Sequence, residues 1–307
     1  MKSLIPFLQH GATIGITCPS GHMPMERITP AISLLKQAGY HVKLGETVGS
    51  AFHYFAATDA IRKKDLQNML DDPEIHAILM GRGGYGLSRI IDDIDFSGFL
   101  KYPKWVCGFS DITLLHQQIQ CICHLPSLHS PMCGAIHEES WHTPHIQSLF
   151  QTLHGESIEY RIKASSYNRL GSAQGILTGG NLAMLAHLTG TPSAFSTEGK
   201  ILFIEDVGEY LYNIDRMLIQ LKRAGWFDNL AGLIIGGFTE LKDTERPFGQ
   251  AVEEIIADKI REYTYPVCFQ FPAGHQEENY TLMLGATHRL DITLVGSTLQ
   301  RVNNDPL

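Results

Sequence analysis

One serine in this chain stands where a nucleophile would be held. Trp105-Val106-Cys107-Gly108 is an apolar, strand-like run that passes through Phe109 into Ser110-Asp111, and Ile112-Thr113-Leu114-Leu115 opens a helical pattern directly after it. A sharp strand-to-helix turn of this kind pushes a serine hydroxyl out above a sheet. It also aims the next backbone N–H at the same space, at the positive end of a helix. A hydroxyl so placed attacks a carbonyl when a base is within reach. The pattern departs from G-x-S-x-G at Ile112, and the competing reading is a serine that only caps a helix.

Three further segments carry groups that suit such chemistry. Gly81-Arg82-Gly83-Gly84-Tyr85-Gly86 follows a strand-like run. It is neither G-x-G-x-x-G nor a Walker A loop, and its glycines suit either a phosphate cradle or an oxyanion hole. Glu205, followed by Asp206, ends the strand-like run Ile201-Leu202-Phe203-Ile204. A carboxylate there can orient a histidine and stabilise its imidazolium; the plain alternative is a solvated loop carboxylate. His275, within Gly274-His275-Gln276, lies just past another strand-like run and is a general-base candidate among 15 histidines. Ser110, Glu205 and His275 follow the serine–acid–histidine chain order of α/β-hydrolases. Because the serine is in the first half and its partners are in the second, the sequence predicts a site assembled from both halves.

The elements that would hold these groups alternate. Residues 13–18, 40–44, 77–80 and 105–108 read as strands; 28–38, 59–71 and a start at 87–91 read as helices. The expectation is an α/β fold with a parallel-sheet domain wrapped by helices over 1–150, its functional loops beyond the carboxyl ends of the strands. A connector is expected over 151–174. A second, smaller, β-rich α/β domain is expected over 175–307, with strands at 200–205, 230–238 and 267–271, helices at 182–188, 213–224 and 252–262, and hairpins over 281–302.

Composition excludes several classes. A formal net charge of -8 without a long basic run argues against nucleic acid as a partner. No apolar run approaches a membrane span, and the first ten residues lack a signal-peptide core, so a cytoplasmic protein is expected. Six cysteines in a chain of 307 residues do not imply disulfides. Cys121 and Cys123, with His116, His124 and His129 nearby, invite a zinc reading, but C-x-C is not the usual knuckle; buried thiols are the better reading and no metal is expected.

Taken in order, these segments resemble the LD-carboxypeptidase family, the serine peptidases that include murein tetrapeptide carboxypeptidases and microcin-immunity peptidases. The likeness runs through Cys18-Pro19-Ser20-Gly21, Asp59 with Arg62, Arg82-Gly83-Gly84-Tyr85-Gly86 with Arg89, Pro103-Lys104 and Gly108-Phe109-Ser110-Asp111-Ile112-Thr113. It continues through His129-Ser130-Pro131-Met132, Gly179-Gly180-Asn181-Leu182, Glu205-Asp206-Val207-Gly208-Glu209, Tyr212 with Asp215-Arg216, and Gly274-His275 with Asn279. The resemblance implies Ser110 as nucleophile, His275 as general base then acid, and Glu205 as its orienting carboxylate. It implies an oxyanion hole from the backbone N–H groups of Asp111 and Gly84, no metal or organic cofactor, and a homodimer. The implied activity is a cytoplasmic serine carboxypeptidase that removes terminal D-alanine from murein tetrapeptides, with Arg82 as a candidate for the substrate carboxylate. The alternatives are a hydrolase of peptidyl or aminoacyl nucleotides, with Trp141 stacking on a base, or a catalytically silent ligand-binding protein. Ser130 and Met283 depart from the family pattern, where glycine and proline are common.

Overall fold

The computed structural model describes residues 5–302; residues 1–4 of the N-terminal stretch read above lie outside them. The chain divides into two compact units. The first runs through Glu156 and takes in Tyr280–Leu282; the second spans Ser157–Asn279 and resumes at Met283.

In the first unit β1 (Thr13–Thr17), β2 (His41–Leu44), β3 (Ala77–Met80), β4 (Trp105–Gly108) and β5 (Ser127–His129) pair in parallel in the order β5-β4-β3-β1-β2. β3 and β4 are buried at every residue, as strands covered on both faces must be. Helices α1 (Met25–Gln37), α2 (Asp59–Asp71), α3 (Ser97–Lys101), α4 (Thr113–Gln118) and α5 (Pro144–Leu153) complete the unit. Because β1 lies between β3 and β2, the connections leave β1 in opposite directions. Ligand sites of open α/β sheets form at such a switch, and the loops after β1, β3 and β4 are adjacent there.

The helix expected from residue 87 is instead two short 3₁₀ turns, Leu87–Arg89 and Ile91–Asp93. Local partners stop it: Leu87 N donates to Asp111 Oδ2 at 2.9 Å, and Arg89 reaches Asp59 with contacts of 2.6–3.0 Å.

Arg62 anchors the glycine loop from beneath. It is fully buried in α2 and donates to the carbonyl oxygens of Gly86 (2.9 Å), Ala57 (3.2 Å) and Pro19, besides pairing with Asp59. Asp59 is 39% exposed, so the stabilisation rests on the three carbonyls more than on the ion pair. Arg62→Ala strands those acceptors and is expected to cost about 3 kcal/mol, read as a lower urea midpoint at unchanged slope.

The second unit has one mixed sheet in the order β10-β9-β8-β7-β12-β13-β6. Its strands are β6 (Glu159–Lys163), β7 (Gly171–Asn181), β8 (Ile201–Val207), β9 (Gly232–Thr239), β10 (Val267–Cys268), β12 (Thr287–Thr293) and β13 (Gly296–Arg301). A short strand β11 (Leu282–Leu284) begins within Tyr280–Leu282 and takes the edge beside β5 in the first sheet. β7 to β10 are parallel, joined through α6 (Leu182–Leu188), α7 (Leu211–Arg223) and α8 (Val252–Lys259). β7, β12, β13 and β6 are antiparallel.

Residues 151–174, expected as a connector, hold the end of α5, all of β6 and the start of β7. β6 buries Tyr160 and Ile162 and exposes the residues between them, the alternation of a half-covered strand. Asn168 and Arg169 are tied to the region of β10, with Phe269 N donating to Asn168 Oδ1 at 2.8 Å. Among the described residues no helix is long and apolar enough to cross a membrane.

Candidate active site

The β4-to-α4 junction turns sharply at one residue. Phe109 is extended, Ser110 has φ +66°, and a 3₁₀ turn from Ser110 to Ile112 runs straight into α4. A serine in the left-handed region costs about 1 kcal/mol, a strain that persists only where its surroundings over-determine it. Here they do. Gly108 O, the last carbonyl of β4, accepts from His116 Nε2 (2.8 Å) and Ser130 N (3.2 Å). His116 is fully buried, and burial lowers its pKa to about 4, so it holds the carbonyl as a neutral donor. Ser130, one of the two departures from the family pattern, therefore sits at the foot of this turn. Asp111 is buried, and its Oδ2 accepts from Ser20 Oγ (2.5 Å) as well as Leu87 N, tying the turn to the loops after β1 and β3.

The glycine loop lies directly on Ser110. A Cβ on Gly83 would sit 2.9 Å from Ser110 Cβ and 3.2 Å from its Oγ, so no other residue fits there without moving the serine. Gly83 O accepts from Gly21 N at 3.0 Å, and Gly84 has φ +100°. With Ser110 as the expected nucleophile, Gly83→Ala is expected to leave the fold intact and to lower kcat by about a hundredfold, the cost of displacing such a group by a fraction of an ångström. Steady-state kinetics beside a thermal melt separates the two effects. Arg82 is exposed, and its Nη1 donates to His22 O at 2.8 Å. Cys18, in the loop after β1, is buried, and that burial pushes its thiol up to about 12, which removes it as a competing nucleophile.

In the second unit Glu205 and His275 form a buried pair. Glu205, fully buried on β8, accepts at Oε2 from His275 Nδ1 (2.7 Å) and from His275 N (3.0 Å). With Nδ1 donating, Nε2 of the neutral ring is the proton acceptor. Burial opposes charging of His275, but the Glu205 hydrogen bond and the charges of Glu205, Asp206 and Glu240 outweigh it and raise the histidine's pKa above its ordinary value.

The loop bearing His275 is held on three sides. Gly274 N donates to Asn279 Oδ1 (2.8 Å), Gln276 Nε2 donates to Phe271 O (3.0 Å), and Thr239 Oγ1 donates to His275 O. Gly274 has φ +101°, and a Cβ there would lie 2.6 Å from Glu205 Oε2. On β9, Gly236 and Gly237 face the same loop. A Cβ on Gly236 would meet Ala273 O at 2.6 Å, and Gly237 N donates to that carbonyl at 2.9 Å.

Each unit thus assembles its share of the sequence-derived candidates: Ser110, Asp111, Gly84 and Arg82 in the first, Glu205 and His275 in the second. The two other carboxylates beside Glu205 are engaged elsewhere, Asp206 with Asn181 and Glu209 with Asn213 (2.7 Å). Trp141 packs its ring against Phe150 at 4.8 Å. Met283, the other departure from the family pattern, is buried and lies 3.9 Å from Arg301 Nη1. Among the described residues no group of three or more histidines, cysteines or carboxylates is placed to hold a metal ion.

Ser20 and Asn279 support the site and enter the sequence reading only through the family motifs, and Gly83 only as one glycine of its loop; Arg62, which the helical pattern over 59–71 places on a wet face, is instead fully buried beneath that loop. For Gly83 a local signal existed, four glycines in six residues. For the others the partners are remote in sequence.

Comparison with known proteins agrees in both halves. Residues 14–130 match the LD-carboxypeptidase N-terminal domain and residues 174–290 the LD-carboxypeptidase C-terminal domain. A protein of Bacillus subtilis (strain 168) named probable murein peptide carboxypeptidase is 35% identical over 91% of this chain and 88% of its own length. The crystal structure of muramoyltetrapeptide carboxypeptidase from Oxalobacter formigenes superposes with a TM-score of 0.87 at 27% identity, covering 95% of this chain and 99% of that one. MccF in complex with glutamyl sulfamoyl guanosine shares the fold, with a TM-score of 0.87 at 20% identity over 99% of each chain.

Proposed function

The chain belongs to the LD-carboxypeptidase family over both of its domains, and from that premise we propose that it hydrolyses the L,D-peptide bond that releases terminal D-alanine from murein tetrapeptides. It is a serine-type LD-carboxypeptidase, a hydrolase of murein processing. Ser110 is the nucleophile. Its Oγ attacks the carbonyl of the L-centre of the diamino acid while His275 Nε2 takes the hydroxyl proton. The backbone N–H groups of Asp111 and Gly84 stabilise the tetrahedral oxyanion. The C–N bond breaks, His275 returns the proton to the departing D-alanine amine, and a water activated by the same histidine releases the acyl group from Ser110. Glu205 keeps the imidazole in the tautomer that leaves Nε2 as the base. Arg82, anchored by one guanidinium nitrogen to His22 O, is the partner for the terminal carboxylate.

The observation that carries this reading is Ser110 held at φ +66° against the glycine loop. Strain of that kind in a non-glycine residue at a strand-to-helix turn serves a nucleophile and does nothing for a helix cap. The reaction is assigned to the cytoplasm, on wall fragments brought inside. The buried thiols of Cys18, Cys107, Cys123, Cys133 and Cys268 suit a reducing compartment. The engagement of Trp141 with Phe150 speaks against its use as a nucleobase platform.

The test is mass spectrometry of purified protein with the free tetrapeptide L-Ala-γ-D-Glu-diamino acid-D-Ala. Release of D-alanine by the wild type is expected. No cleavage of this substrate, with turnover of an aminoacyl nucleotide instead, would transfer the assignment to that class.

A further inference from the structure

Asp206 follows Glu205 on β8 and is almost as deeply buried, 2% exposed. A carboxylate without water needs donors, and this one has three. Oδ1 accepts from Asn181 Nδ2 (3.0 Å) and Val207 N (2.8 Å), and Oδ2 accepts from Ala183 N (2.9 Å). Asn181 is the last residue of β7 and the N-cap of α6, where its own Oδ1 accepts from Met184 N at 3.2 Å. One carboxylate therefore joins the end of β7, the first turn of α6 and the end of β8.

The need for that joint lies in the sheet. Along β8 the register to β9 is regular up to Ile204↔Ile235 and resumes at Asp206↔Phe238, so Gly236 and Gly237 oppose Glu205 alone. This bulge admits the loop that carries His275, but it removes ordinary ladder support from Glu205 on that side. On the other side Glu205 pairs with Asn181, where β7 ends. Glu205 thus sits at a bulge on one flank and at a strand end on the other, and Asp206 grips the residue that closes the second flank. There is little slack: the space beside Glu205 Oε2 is filled by Gly274 so closely that a Cβ there would lie 2.6 Å away.

We propose that Asp206 is a positioning residue for the reaction, pinning Asn181 and the start of α6 to β8 and so holding Glu205 where it grips His275. The proposal rests on the reading of Glu205 and His275 as acid and base. It gives a role to the second of two adjacent buried carboxylates, an arrangement whose mutual repulsion a merely structural joint would avoid. Burial and the neighbouring Glu205 push Asp206 up to about 7 against the pull of its donors. The charged groups that act on His275 include Glu205 and Asp206 from β8 and Glu240 from just past β9.

Asp206→Asn keeps the shape but turns an N–H₂ toward at least one of the three donors and removes the charge. It is expected to lower kcat by about ten- to a hundredfold, with KM within about twofold of the wild type. The proton on His275 Nδ1, followed by NMR without substrate, is expected to shift from its wild-type position as the Glu205 contact loosens, and the ring is expected to titrate at lower pH. Asp206→Glu retains the charge but misplaces it; the same loss of kcat and the same displacement of the Nδ1 resonance are expected, with the His275 titration lowered less than in Asp206→Asn because the charge remains. A folded Asp206→Asn protein with wild-type kcat and an unchanged Nδ1 resonance would overturn the proposal. So would wild-type kcat in Asp206→Glu, which decides the matter if Asp206→Asn fails to fold. If the wild type itself releases no D-alanine, the functional reading falls, and the substrate-free NMR comparison still tests the positioning role.

Discussion

Ser110→Ala is expected to abolish D-alanine release, with kcat lower by roughly a millionfold, while the protein folds and melts as the wild type does. Under the proposed mechanism the loss follows from removing the atom that would form the acyl bond; removal of a triad nucleophile leaves only what the oxyanion donors and binding supply. The unchanged melt follows from local geometry. Alanine retains the Cβ that packs against Gly83, and it pays the same left-handed backbone cost as serine at φ +66°. Ser110→Gly separates the two consequences. It is equally inactive, but glycine relieves the strain, and a gain of about 1 kcal/mol is expected, reduced by glycine's greater freedom in the unfolded chain. Single-turnover assays with the tetrapeptide and urea titrations of the three proteins would check this. An active Ser110→Ala protein would remove Ser110 from the mechanism. A destabilised Ser110→Gly protein would show that the turn is not strained.

Glu205→Gln is expected to lower kcat by about ten-thousandfold, the effect of leaving a catalytic histidine in the wrong tautomer. The carboxylate oxygen that matters, Oε2, receives two donors, His275 Nδ1 and His275 N. If the glutamine turns its N–H₂ to that position, donor faces donor. If it turns the N–H₂ the other way, the group is buried where Oε1 meets no hydrogen-bond partner. Gly274 packs too closely for the side chain to move aside.

The pH dependence follows with a definite sign. The Glu205 contact raises His275 above its ordinary 6.5, and in the proposed mechanism only the neutral ring accepts the serine proton. The wild-type kcat/KM is therefore expected to fall as pH drops through a value above 6.5, and the residual activity of Glu205→Gln to fall at lower pH. For stability the pair acts in the opposite window. A raised folded pKa contributes stability that is fully present below the ordinary histidine value and fades as pH rises through the raised one. Glu205→Gln is thus expected to be more destabilising at about pH 5 than at about pH 9. Full activity in this variant would remove Glu205 from the triad.

Much of this was legible in the residues. The strand-like runs and helical patterns over 13–80 and 105–115 describe the parallel sheet, because its inner strands β3 and β4 are covered on both faces and read as apolar runs. The strand-like run into Gly108-Phe109-Ser110 followed at once by a helical pattern marks the turn, since nothing but a sharp bend joins the two periodicities in so few residues. β6 is equally present as an alternation over 159–163, but it lies in a less regular stretch, with Ser165-Ser166-Tyr167-Asn168 just after it, that reads as a connector. Its pairing with β13 is contact over more than a hundred residues of sequence, which no local pattern records.

The sequence by itself determined what is local: which segments are strands and helices, where glycines relieve the backbone, and that a serine, an acid and a histidine occur in a workable order. Chain order and the family resemblance singled out Glu205 and His275; only the tertiary structure shows that Glu205 Oε2 meets His275 Nδ1 while Asp206 is taken by Asn181 and Glu209 by Asn213. It also decided that the glycine touching the serine is Gly83 and that Asp206 closes the strand end beside the bulge. The physical reason is the range of the forces involved. Secondary structure follows from periodicity and backbone sterics within a few residues. A carboxylate's partner depends on which donors burial brings within 3 Å, and those donors come from segments that the chain alone leaves far apart.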